Sequence, residues 1–291
     1  MIDPADDALE AWLGEVFAWD AGRRDQVAVT CQTVAYGEHR DQVVDVWRPR
    51  AGGNGSAVVS LHGGYFMPEY TRALHTPISR ELAHRGFTVC NVEYRRGPEA
   101  GLAQTTTDVW TAVDFVSAES HSARLAVFGH SAGGYLAAWA ASHTAVDLVV
   151  PLGPVTDLVD TVRSGCDKGA VTAWLGASPE TSPGLYAQGD LRRRWPTGAI
   201  QVLVHGIHDE TVPIRQSRAY VAAAVKAGER CVLHELAGTG HYAFLDPRQP
   251  AFEVLLRELH AWRVTSSGHA RADKTRARNE DSTVHRVVEG G

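Results

Sequence analysis

Three residue types that together can attack a carbonyl carbon, serine, aspartate and histidine, each stand in this chain just past an apolar run. The serine is Ser131, in Gly129-His130-Ser131-Ala132-Gly133. The apolar stretch Arg124 to Phe128 precedes it and the alanine-rich stretch Tyr135 to Ala141 follows, so the spacing predicts a tight turn between a strand and a helix. Such a turn strains its central residue, and side chains on either flank would collide with the strand and helix packed around it. Glycine at both flanking positions removes the collision.

A serine hydroxyl is a poor nucleophile near neutral pH and needs a base to take its proton and an acid to orient that base. Asp209 follows the apolar run Gln201-Val-Leu-Val-His205, and His241 lies in Gly238-Thr-Gly-His241-Tyr242, a glycine-rich loop after the last strand-like segment. Both have alternatives. Asp209 could cap a helix starting near Pro213, with His208 or Glu210 as the meaningful neighbour, and His62, His205 and His208 also stand at strand ends. Of these strand-end histidines only His241 follows both the acid and the last strand. His130 is expected to pack beneath the turn, and His205, His208 and Asp209 on one turn form no clear metal-ligand set.

Acyl transfer also needs N–H donors where negative charge develops on the former carbonyl oxygen. Leu61-His62-Gly63-Gly64-Tyr65-Phe66 follows a third apolar run, and Gly63 and Gly64 let the chain pass closely under a substrate. The expected donors are the amides of Gly64 or Tyr65 together with Ala132. Phe66, Trp174, Tyr186 and Tyr242, with Tyr65, are candidate pocket residues, because aromatic groups near the serine suit an aromatic or short acyl substrate. For Trp174 and Tyr186 a core role stands open beside the pocket role.

These residues require a scaffold that brings strand ends together. Eight segments rich in β-branched residues read as strands, near 27–35, 42–48, 57–61, 87–94, 124–128, 146–152, 200–205 and 230–236. Helical patterns fall near 71–85, 103–119, 132–143, 157–175, 214–227 and 251–263. Strand and helix alternate from the third strand onward, which predicts an α/β fold, a mostly parallel sheet covered on both faces. The first two strands, joined only by residues 36–41, are expected to form an antiparallel edge hairpin. Residues 153–199 read as a small cap over the strand ends, inside one catalytic domain of residues 1–264. Residues 265–291 lack apolar periodicity and read as a disordered tail.

With 291 residues and 44% hydrophobic content the chain can bury a full core. A net charge of −6 gives no electrostatic reason to expect nucleic acid, and Arg192-Arg193-Arg194 is the one basic triplet, read as a solvated loop. No run approaches the length that spans a bilayer, and the acidic N-terminus lacks the pattern of a secretory signal. Four cysteines without C-x-x-C spacing suit a reducing, cytoplasmic setting, with no metal or disulfide framework. No cofactor or partner beyond a small-molecule substrate is implied, and oligomeric state stays open.

His62-Gly63-Gly64, the stretch Gly129 to Gly134, Asp209, His241 and Glu93-Tyr94-Arg95 together resemble the α/β-hydrolase superfamily over roughly residues 27–263. Within it the chain resembles hormone-sensitive-lipase-like esterases and kynurenine-formamidase-like enzymes. The former usually carry a third glycine where this chain has Tyr65. The latter carry H-G-G-x-W, and Tyr65-Phe66 fits with phenylalanine in place of tryptophan. The resemblance implies hydrolysis of a small carboxylic ester or aryl formamide through an acyl-enzyme on Ser131, with His241 as base and Asp209 as its orienter. Only about 26 residues precede the first strand, so a propeller-bearing peptidase is not expected. A non-catalytic ligand-binding protein on the same fold, or an acyltransferase or lyase using the same site, are the rival readings.

Overall fold

The computed structural model describes residues 4–23, 28–52, 57–120, 125–142 and 146–265. Its eight strands are β1 (Val29–Ala35), β2 (Val43–Pro49), β3 (Ala57–Leu61), β4 (Thr88–Val92), β5 (Leu125–His130), β6 (Leu148–Leu152), β7 (Ile200–Gly206) and β8 (Cys231–Leu236). They form one sheet in the order β1-β2-β4-β3-β5-β6-β7-β8. β2 is antiparallel to both β1 and β4, and every other pairing is parallel. The central strands β3, β5 and β6 are buried at every residue, which explains their unbroken apolar runs, whereas β1 lies on an edge and is largely exposed.

Nine helices accompany the sheet among the described residues: α1 (Pro4–Gly22), α2 (Thr76–His84), α3 (Gly101–Glu119), α4 (Ala132–Ala140), α5 (Leu158–Ser164), α6 (Ala170–Leu175), α7 (Pro183–Gln188), α8 (Arg215–Lys226) and α9 (Pro250–Thr265). Alternate residues of each strand feed two cores, as a pleat requires. Val59, Leu61, Val127 and Leu203 pack under α3, α4 and the helices between β6 and β7, while Val58, Phe128, Val150 and Val204 pack under α2 and α9. This is the mostly parallel, two-faced α/β sheet that the alternation of strand and helix predicts, and it agrees with the α/β-hydrolase fold that the resemblance implies.

Three local features depart from the expected pattern. The helix expected over 157–175 is two helices, α5 and α6, because Gly165 and Gly169 take φ values of 67° and 86° and end one before the other begins. Helix α1 was not expected, although Leu9, Trp12, Leu13, Val16 and Phe17 recur at helical spacing. Val16 is buried, and Asp20 forms an ion pair with the buried Arg80 of α2. Cys31, inside the first expected strand where a thiol ordinarily packs as a small core group, is exposed on that edge strand. The expected tail, apart from Thr265 at the end of α9, lies outside the described residues. Among the described residues no helix is long and apolar enough to cross a membrane.

The parallel strands end on one edge. Leu61 of β3 lies opposite Gly129 of β5, and His130 lies opposite Leu152 of β6. That register brings the segments 62–66, 131–132, 153–155 and 207–212 to a common rim.

Candidate active site

Ser131 sits between β5 and α4 with φ 57° and ψ −118°, a conformation costing a non-glycine residue on the order of 1–3 kcal/mol. Three backbone bonds hold it there. Its N–H donates to Leu152 O at 2.9 Å, and its carbonyl accepts from Tyr135 N at 3.1 Å and Val155 N at 3.3 Å. A Cβ on Gly129 would overlap the carbonyl oxygen of Gly133, and one on Gly133 would overlap that of Leu61. The flanking glycines are therefore required by close approach of backbone to backbone.

Asp209 follows β7 and is buried. Its Oδ1 accepts from the N–H of Thr211 at 3.0 Å and of Val212 at 2.7 Å in the turn ahead of α8, whose N-cap is Ile214 without a side-chain cap, so Asp209 braces that turn and does not cap the helix. Oδ2 accepts from His241 Nδ1 at 2.7 Å. His205, a rival histidine in the sequence, supports the same oxygen: its Nε2 lies 3.2 Å from Asp209 Oδ2 and 2.9 Å from Val212 O, while its Nδ1 accepts from Ser217 Oγ at 2.7 Å. Burial by itself would raise the Asp209 pKa, but hydrogen bonds from His205 and His241, the nearby His241 charge and the Val212 N–H outweigh it. The carboxyl is held well below the usual carboxylate range. His208 and Glu210 are exposed.

His241 opens a 3-10 turn, His241–Leu245, after β8. Its Nδ1 must carry the proton given to Asp209, which leaves Nε2 as the ring nitrogen able to accept one. His130 joins this loop to Ser131: its Nε2 donates to His241 O at 2.9 Å, and the two rings lie 4.5 Å apart. Burial, then the neighbouring His241 and His75, lower the His130 pKa well below its ordinary value, so it is neutral. Gly153, which the sequence reading passed over, completes the approach. A Cβ there would stand 3.1 Å from Asp209 Oδ2 and 3.4 Å from His241 Nδ1.

The loop after β3 passes against Ser131. A Cβ on Gly63 would lie 2.7 Å from His130 O and 3.1 Å from Ser131 Cβ. Gly64, Tyr65 and Phe66 all take positive φ, at 109°, 56° and 58°. Two of these residues have side chains, so strain concentrates here as it does at Ser131. The turn is tied by Met67 N to Gly64 O at 2.8 Å and Gly97 N to Phe66 O at 2.7 Å. Across the rim Ala132 is the first residue of α4, whose N–H has no carbonyl four residues back within the helix.

A cavity of about 10 Å³, room for roughly one water, adjoins Ser131 and Ala132 between Tyr65, Phe66, Val155 and Val212. Trp174 and Tyr186 do not line it. Trp174 is fully buried behind Phe66, with rings stacked at 3.8 Å and its Nε1 donating to Thr105 Oγ1 at 3.0 Å, because α6 turns this face toward α3. Tyr186 borders a separate cleft of about 260 Å³ beside Asp157, Pro179 and Arg192, and its hydroxyl donates to Ala177 O at 2.9 Å. Tyr242 meets the His241 ring edge-on at 5.1 Å, and its phenol oxygen is 3.5 Å from that of Tyr65.

Comparison with known proteins adds to this geometry. The family model described as BD-FAE matches residues 44–223. Esterase LipC of Mycobacterium tuberculosis is 27% identical over 267 residues, covering 79% of this chain and 66% of that protein. Kynurenine formamidase of Drosophila melanogaster is 26% identical over 237 residues, covering 76% and 78%. Among solved structures, esterase B of Lactobacillus rhamnosis superposes with a TM-score of 0.72 at 18% identity, covering 96% of this chain and 99% of that one, which shows the shared fold.

Proposed function

The chain belongs to the BD-FAE family, and from that premise we propose that it is a serine hydrolase acting on small carboxylic esters or aryl formamides. One observation carries the reading: the 2.7 Å bond from His241 Nδ1 to the ionised Asp209, beside a serine held in the strained turn. With Nδ1 protonated, Nε2 holds the lone pair that takes the Ser131 proton as Oγ attacks the carbonyl carbon. The tetrahedral oxyanion is met by N–H groups of Ala132 and of Gly64 or Tyr65. His241 then returns the proton to the departing alcohol or amine as the C–O or C–N bond breaks. Water repeats the sequence on the acyl-enzyme and frees the acid.

Substrate size follows from the cavity beside Ser131, which has room for about one water and is closed by Phe66 on Trp174. That space suits a formyl or acetyl group and opposes longer acyl chains, each added methylene meeting a packed wall. The likeness to a kynurenine formamidase and to an esterase supports both leaving-group classes. Specificity constants for N-formylkynurenine and for p-nitrophenyl esters from acetate to octanoate test the reading. Expected is highest turnover for formyl or acetyl substrates; best turnover of butyrate or longer, with an inert formamide, overturns it.

A further inference from the structure

Beneath the loop of Gly63 and Gly64 lies a buried ion cluster that the proposed acyl transfer does not use directly. His62 is fully buried, stacked on Tyr94 at 4.5 Å, and its backbone carbonyl accepts from Tyr94 Oη at 2.6 Å. Its Nδ1 bonds Gly63 O at 2.7 Å and its Nε2 bonds Glu93 Oε1 at 2.9 Å. Both partners are acceptors, so both ring nitrogens donate. Glu93 in turn accepts from Arg96 Nη1 at 2.7 Å and from the Arg72 backbone N–H at 3.0 Å. Burial would raise the Glu93 pKa, but the hydrogen bond and charge of His62, then Arg96 and the Arg72 N–H, bring it below its ordinary value. Arg96 also reaches past Glu93 to hold Met67 O at 3.2 Å and Pro68 O at 3.0 Å. The cluster thus grips the loop before and after its three positive-φ residues.

A trans peptide is planar, so the Gly63 carbonyl and the Gly64 N–H point in opposite directions. Holding that carbonyl against His62 Nδ1 turns the Gly64 N–H the opposite way, and the Cβ position of Gly63 faces Ser131, 3.1 Å from its Cβ. We propose that Glu93 and His62 are positioning residues for the reaction, a relay in which the carboxylate orients the imidazole and the imidazole sets the peptide whose N–H meets the oxyanion. The assignment rests on the hydrolase reading above. It also accounts for Glu93-Tyr94-Arg95, a motif directly after the fourth strand that the acyl transfer itself does not use. Loosening this peptide leaves the N–H in place but misaimed, so the loss is smaller than the 10²–10³ typical of deleting a donor.

The test compares the wild type with Glu93→Gln, His62→Asn and His62→Phe on p-nitrophenyl acetate, with kcat and KM measured separately and binding of phenylboronic acid, which forms a tetrahedral adduct on serine, measured alongside. Expected for Glu93→Gln and His62→Phe is a kcat loss of roughly 10- to 100-fold with KM within about twofold, and a matching loss of boronate affinity. His62→Asn, whose amide can still donate to Gly63 O, should recover most of the loss. Should Glu93→Gln fail to fold because Arg96 loses its counter-charge, the two His62 variants decide alone. Unchanged kcat in His62→Phe, or a kcat loss without loss of boronate affinity, overturns the proposal while leaving the hydrolase reading intact. A wild type that neither hydrolyses the ester nor binds the boronate overturns both.

Discussion

The two flanks of Ser131 are organised by different physics. On one flank, Asp209 and His241 are joined side chain to side chain, and a single short bond selects the imidazole tautomer. On the other, the proposed donors are the backbone amides of Gly64 or Tyr65, which cannot be chosen by residue type and must be aimed by what lies beneath them, here His62, Glu93 and Arg96. A side-chain pair fails outright when one member is replaced. A backbone donor fails by degrees as its support loosens, so substitutions on the first flank should have the larger effects.

Removing the group that both flanks serve gives the extreme. Ser131→Ala should keep the fold and lower turnover by about four to six orders of magnitude, and a fluorophosphonate probe should label wild type at Ser131 alone; substantial residual turnover in the purified variant would place the nucleophile elsewhere. Next is Asp209→Asn, which leaves the geometry but forces the wrong His241 tautomer. Its turnover should drop by about 10⁴, whereas Glu210→Gln, on an exposed carboxylate, should change little. Equal effects of the two would erase the distinction between flanks. Because the Asp209 pKa is depressed, its charge persists through mildly acidic pH, so turnover lost on acidification to pH 5 does not come from protonation of Asp209.

Smaller effects sharpen the contrast on the backbone flank. Phe66→Ala should open the cavity beside Ser131 and raise the butyrate-to-acetate ratio of specificity constants by about 10-fold, two methylenes at ~0.8 kcal/mol each; an unchanged ratio would show that the acyl group binds elsewhere. Trp174→Ala should act through stability, costing about 3–5 kcal/mol in chemical denaturation, because the ring is core rather than wall.

The smallest concerns pH and stability. Burial pulls the His75 pKa down to about 3, and His130 is likewise lowered. The unfolded chain therefore binds protons below about pH 6.5 that the folded chain refuses. This contribution is fully present above pH 6.5 and is lost as pH falls toward 3, with a slope of up to ~1.4 kcal/mol per pH unit per histidine. Denaturation of His75→Leu at pH 7 and 5 should show a shallower acid loss than wild type; an identical slope would mean that His75 is not buried neutral.

The same contrast separates what could be read along the chain from what could not. The strands, the serine turn, Asp209 and His241 were legible because apolar runs, flanking glycines and strand-end polar residues are local patterns. So was the edge hairpin, from the short connection between its strands. Trp174 and Tyr186 were ambiguous because an aromatic residue on a short helix carries no mark of which way the helix faces, and packing placed one in the core and the other on a separate cleft. Helix α1 carries a helical apolar spacing of its own, but outside the strand and helix alternation that marks the other elements.

Residue order and type by themselves determined the α/β architecture and the chemical groups at the strand ends, since both follow from periodicity and from what serine, aspartate, histidine and glycine can do. Tertiary structure alone decided how those groups are held. Gly153 is needed because the Asp209–His241 pair passes over it, His205 donates to Asp209 only across a folded turn, and Glu93 reaches His62 from 31 residues away in the chain, by the hydrogen bond that the neighbouring β3 and β4 strand ends make possible. Contacts between residues distant in sequence leave no local pattern, because their partners are set by the register and crossing of elements that only the packed core defines.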